Sequence, residues 1–196
     1  AGGVSTAIGQ LLKTIGEVRE PVCLSASYAL YRICQAFPQQ REVLAQFCSS
    51  TRAIMHIFTA ITACSDAVRG YLKQTLHVLL SKDQSGKVVD TMLESKVLDS
   101  LILKISNPSS PAALRTIVIG VLSDISQSLT NTEHYVRTIN HMLELGLLTE
   151  VSALLDWTTL LKANEVGEAP PTPQLIISTP EYAALCLLEI LSESTV

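Results

Sequence analysis

One helix-forming pattern returns along this chain at a fixed spacing, and that spacing limits the folds open to it. Residues 26–34, 72–80 and 118–125 each place aliphatic side chains at helical intervals around a central leucine. Leu30, Leu76 and Leu122 are those leucines, 46 residues apart each time. A fourth copy, residues 182–191, follows the third after 65 residues. A helical period in the forties predicts a solenoid, in which each unit buries its apolar face only by stacking on its neighbour.

Between these copies a second block recurs. Met92-Leu93-Glu94-Ser95-Lys96-Val97-Leu98 parallels Met142-Leu143-Glu144-Leu145-Gly146-Leu147-Leu148, and residues 44–48 hold the same place earlier. Each block leads into an apolar helical run, at 53–59, 97–105 and 147–155, and residues 6–15 read as the same final helix of a truncated unit. No long period-2 pattern competes, so the fold class is all-α. Helix starts are marked by Pro21, Pro111 and Pro180, with Ser110 and Thr179 as N-caps and Ser65-Asp66 in the same role without proline.

The 65-residue interval contains Glu165-Val166-Gly167-Glu168-Ala169-Pro170-Pro171-Thr172-Pro173, which cannot be helical through its prolines. A long loop is expected over 157–179, with Leu175, Ile176 and Ile177 as an apolar segment able to dock on the chain itself or on a partner. The whole of 1–196 is read as a single helical-repeat domain cut from a larger protein.

Composition narrows function. Charged residues make up only 16% of the chain, against roughly 25% in an average domain. Residues 1–104 carry 11 Lys+Arg and 8 Asp+Glu, whereas residues 105–196 carry 3 and 10. An acidic second half disfavours nucleic acid and favours a basic partner segment there. No uninterrupted apolar run of membrane-spanning length is present, so no membrane span is expected. Five cysteines without Cys-x-x-Cys read as free thiols in a reducing, cytoplasmic setting. His56, His77, His134 and His141 form no metal-ligand spacing, and nucleophile-elbow, phosphate-loop and dinucleotide motifs are lacking. A non-enzyme without cofactors or metal is the expectation.

An Ala/Leu-rich middle helix, a short block and a Leu-rich final helix resemble the armadillo repeat, with the HEAT repeat the near alternative. The resemblance covers the chain outside 157–179. It implies a right-handed α-solenoid of about three full repeats with partial repeats at the ends. It also implies a concave groove, lined by the final helices, that takes a peptide or helix of a partner. Residues 65–72 and 180–188 are also similar to segments of LisH-containing armadillo proteins of cilia and basal bodies, which implies a cytoskeletal or ciliary scaffold. The recurring Trp and Asn of nuclear-import members are missing; Trp157 is the sole tryptophan. Aligning the final helices on Leu11-Leu12, Ile57-Phe58 and Leu101-Ile102 puts Gln10, His56, Ser100 and Glu150 on one ladder, with Lys13, Thr59, Lys104, Asp156 and Trp157 beside it. Uncapped solenoid ends would favour self-association. The alternative reading is a regulatory or co-chaperone-type module that clasps a folded partner domain.

Overall fold

The computed structural model describes residues 2–15, 19–83, 85–130, 132–155 and 180–193. Among them are eleven helices and no strands. They are α1 (Gly2–Thr14), α2 (Glu20–Ala36), α3 (Pro38–Cys48), α4 (Thr51–Ala63), α5 (Asp66–Ser81), α6 (Lys87–Glu94), α7 (Val97–Ser106), α8 (Ala112–Leu129), α9 (Tyr135–Glu144), α10 (Leu147–Leu154) and α11 (Pro180–Glu193). In chain order they form three triplets of one long helix and two shorter ones, α2–α4, α5–α7 and α8–α10. Each apolar copy found in the sequence lies inside a long helix, and the fourth lies inside α11.

The local chemistry explains the boundaries. Proline stands in the first turn of α2 and of α3, where its missing N–H leaves no bond unmade. The proline that opens α3, Pro38, is a start signal that the sequence reading passed over. Pro111 sits just before α8 rather than within it. Asp83 caps α6, its Oδ2 accepting from the Val88 N–H at 2.8 Å while its Oδ1 accepts from the Ser85 hydroxyl at 2.8 Å. The two recurring blocks make the same two-residue corner. Lys96 has φ of 57° between α6 and α7, and Gly146 has φ of 85° between α9 and α10. Glycine enters that left-handed conformation freely, whereas lysine does so against its Cβ. Met92 and Met142, four residues before each corner residue, are both fully buried.

Two compact units are present, Ala1–Leu98 with Ser128–Thr138, and Asp99–Gln127 with Ile139–Val196. In the first, like helices of successive triplets pack together: α2 lies on α5 and α3 on α6, while α1 touches α2, α3 and α4. Leu30, Cys34, Ile54, Ile57, Leu72 and Leu76 are at the centre of its core. Its later segment is fastened by polar contacts. The His77 Nδ1 lies 2.8 Å from the Ser128 hydroxyl, and Arg137 pairs with Asp90 at 2.5 Å. Gly86, with φ of 68°, is pressed against His134, so that a Cβ there would meet the imidazole at 2.5 Å. In the second unit, Val118, Ile119, Leu122 and Ile125 of α8 are buried, α10 packs on α11, and Ala184 and Leu187 of α11 are buried.

One expectation changes. Among the described residues α8 is long and apolar enough, by length and composition, to cross a membrane. Arg115 and Asp124 interrupt the apolar run of that helix. Core burial accounts for much of its apolar character, since 44% of the window is buried inside the protein.

Three corners of this chain share a feature that the apolar period does not display. Arg69 is the fourth residue of α5, and its Nε and Nη2 donate to the carbonyls of Ile61 (2.8 Å) and Cys64 (2.7 Å) at the end of α4. It also pairs with Asp66. Arg115, 46 residues on, is the fourth residue of α8 and donates to the carbonyls of Ser110 (3.1 Å) and Pro108 (3.1 Å). Cys23, 46 residues before Arg69, is the fourth residue of α2 and donates its S–H to the Thr14 carbonyl at 3.5 Å. At Arg69 the acceptors are at the end of α4, where the last carbonyls have no intrahelical donor and a basic side chain satisfies them and complements the dipole; at Arg115 they belong to the turn that follows α7. The fourth residue of each long helix thus donates to a backbone carbonyl just before that helix, with a guanidinium at Arg69 and Arg115 and a thiol at Cys23.

Candidate functional site

The site grows out of α4. Ser50 caps it, its hydroxyl accepting from the Ala53 N–H at 3.3 Å. Ile54, Ile57, Phe58 and Ile61 recur at helical spacing and are buried, which turns Arg52, His56, Thr59 and Ala63 to the opposite side. His56 reaches the end of α1, where its Nε2 lies 2.5 Å from the Ile15 carbonyl. A carbonyl can only accept, so Nε2 carries the proton in that bond. The contact spans 41 residues of sequence and fixes the imidazole between two cavities.

The larger cavity, about 360 Å³, is lined by Ile15, Glu20, Cys23, His56, Thr59, Ala60, Ala63, Cys64, Ser65 and Val68. Its walls are mainly apolar, with two thiols facing it. Burial raises the Cys64 thiol above its ordinary range, with Cys23 adding to the effect and Arg69 opposing it. A thiol held protonated is a poor nucleophile. The Ser65 hydroxyl is buried there without a hydrogen-bond partner among the described residues. The smaller cavity, about 220 Å³, is lined by Gly9, Leu12, Lys13, Phe47, Ser50, Arg52, Ala53 and His56. The Phe47 ring packs against α1 at Gly9, at a distance where a Cβ would make an ordinary contact of 3.5 Å.

Of the ladder expected from sequence, Lys13 lines the smaller cavity, Thr59 the larger, and His56 both. Gln10 is exposed on α1 and lines neither. Ser100 and Lys104 are half-buried one turn apart on α7, and Glu150 is half-buried in the first turn of α10. These three belong to the second unit and line neither cavity. Asp156, Trp157, Leu175, Ile176 and Ile177 lie outside the described residues. Arg52 and Phe47 escaped the sequence reading. Arg52 stands four residues before His56, so the same-face rule would have found it. Phe47 lies on α3 and reaches the site only through packing.

Among the other histidines, the His141 Nε2 is buried without a hydrogen-bond partner among the described residues. His134 lies 3.6 Å from Glu133 besides its contact with Gly86, and His141 approaches Asp99 at 4.0 Å. Among the described residues no group of three or more His, Cys, Asp or Glu side chains could hold a metal ion. All five cysteines are free. Burial pushes the Cys34 thiol up to about 12, against a smaller opposing influence from Arg41, and raises the Cys48 thiol as well. No protein-family model, curated protein or solved structure matches the chain.

Proposed function

We propose that this chain is a non-catalytic interaction module built from armadillo-like repeats, and that its first unit takes a peptide segment of a protein partner along the groove centred on His56. The observation that carries the reading is the convergence of Lys13, His56 and Thr59 on two adjoining, largely apolar cavities. Apolar recesses give a bound segment its energy, and exposed polar side chains at the rim give it register. The repeat part of the reading is supported by the three helix triplets and by the 46-residue return of the corner donors Cys23, Arg69 and Arg115.

Peptides selected from a displayed random library against the full chain provide the test. They should lose about tenfold affinity, some 1.4 kcal/mol, for His56→Glu and for Thr59→Lys. They should bind Val136→Ser, an exposed change on α9, as they bind the parent. Selected peptides that ignore both groove variants would place binding elsewhere and end this proposal.

A further inference from the structure

The smaller cavity has a charge character of its own. Lys13 and Arg52 are both exposed at its edge, His56 is a third basic group, and among the described residues no acidic side chain lines it. Neither Lys13 nor Arg52 has an ion pair or side-chain hydrogen bond among the described residues. Arg52 stands in the first turn of α4, where a positive charge opposes the helix dipole. Its position there does nothing for the helix, yet it puts a second cation on the cavity rim. Beneath the two cations the walls are apolar: Leu12, Phe47 and Ala53.

The volume sets the size of the occupant. At about 220 Å³ the cavity falls below the roughly 300 Å³ at which whole small-molecule sites begin, and it suits one apolar side chain. The amides nearby decide how the charge is met. The Ala53 N–H is already taken by the Ser50 carbonyl at 3.0 Å and by the Ser50 hydroxyl at 3.3 Å, and the Ile54 N–H by the same carbonyl at 3.1 Å. Those two amides are not open to a ligand carboxylate. Two long, mobile cations over an apolar recess match side-chain carboxylates on either side of an apolar anchor.

We infer that the Lys13–Arg52 cavity binds an internal acidic peptide segment, in which one leucine-sized side chain fills the recess and flanking Asp or Glu carboxylates meet the two cations. This rests on the groove reading above and adds the chemical class of the segment.

Fluorescence anisotropy on the full chain tests it with three labelled ten-residue peptides, capped at both ends. One has a central Leu between paired Asp residues, one the same Leu between paired Lys residues, and one Ala in place of Leu between paired Asp. The Asp-flanked Leu peptide should bind at least tenfold tighter than either of the others, and more weakly as salt is raised. Lys13→Glu with Arg52→Glu should reverse the preference between Asp and Lys flanks. Both side chains are exposed, so the double variant should fold, and its circular dichroism should match that of the parent. Equal binding of the two Leu peptides, lost in Thr59→Lys, would keep the groove and overturn the acidic class. Binding of none of the peptides would overturn both. A ten-nucleotide single-stranded RNA that binds more tightly than the Asp-flanked peptide would also overturn it, in favour of a phosphate-backbone ligand.

Discussion

The entrance to α2 and the entrance to α5 hold the same place in the 46-residue period, and they are closed differently. At α5 a single guanidinium, Arg69, satisfies the Ile61 and Cys64 carbonyls and is tied to Asp66. At α2 the matching residue is Cys23, whose S–H reaches the Thr14 carbonyl at 3.5 Å. Ile15, which stands 46 residues before Ile61, is served instead by His56 from α4. Replacing a long cation by a small thiol at this corner leaves room, and Cys23 lines the larger cavity there together with Ile15 and His56. The difference teaches that the larger cavity lies beside a corner where the 46-residue pattern changes its donor. The position that is structural in one triplet is vacated in another, and a histidine from elsewhere takes over part of the work.

That contrast can be broken by removing each donor in turn. Arg69→Ala should be the most damaging, because it strips two buried-end carbonyls of a charged donor. A loss of about 3 kcal/mol in urea unfolding is expected. His56→Ala removes one bond at a part-buried position and should cost about 1 kcal/mol. If the two cost the same, His56 is as structural as Arg69 and the corner at α2 is not a relaxed version of the corner at α5. The smallest effect is on reactivity. Arg69 opposes the upward shift of the Cys64 thiol. In the folded Arg69→Ala protein the thiolate should therefore appear at higher pH, and the pH profile of Cys64 alkylation should move upward. Cys34 and Cys48, raised mainly by burial, should stay unlabelled at neutral pH in both proteins. A profile that moves down, or labelling of Cys48 before Cys64, would contradict the placement of the guanidinium beside Cys64.

Much of the fold was legible along the chain. Aliphatic residues at helical spacing marked every long helix, and the Met-Leu-Glu blocks marked the corners at Lys96 and Gly146, because burial of one helix face is a periodic demand that sequence records directly. Less of the site was legible. His56, Thr59 and Lys13 were reachable by aligning final helices. Phe47 was not, since it comes from α3 and meets Gly9 only through packing. The return of Arg69 at Arg115 was available from the spacing but carries no apolar signal, so a search for hydrophobic pattern passes over it.

By itself the sequence determined that the described chain is helical, where its long helices lie, and that α2, α5 and α8 recur every 46 residues, because these follow from side-chain periodicity, proline geometry and capping within a few neighbours. Only the tertiary structure decided that His56 bonds to Ile15 across 41 residues, that Cys23 and Cys64 line one cavity with His56, and that Lys13 and Arg52 share an apolar recess. Those depend on which side chains meet when helices distant in sequence pack, and a one-dimensional pattern fixes the faces that pack without fixing the atoms that meet.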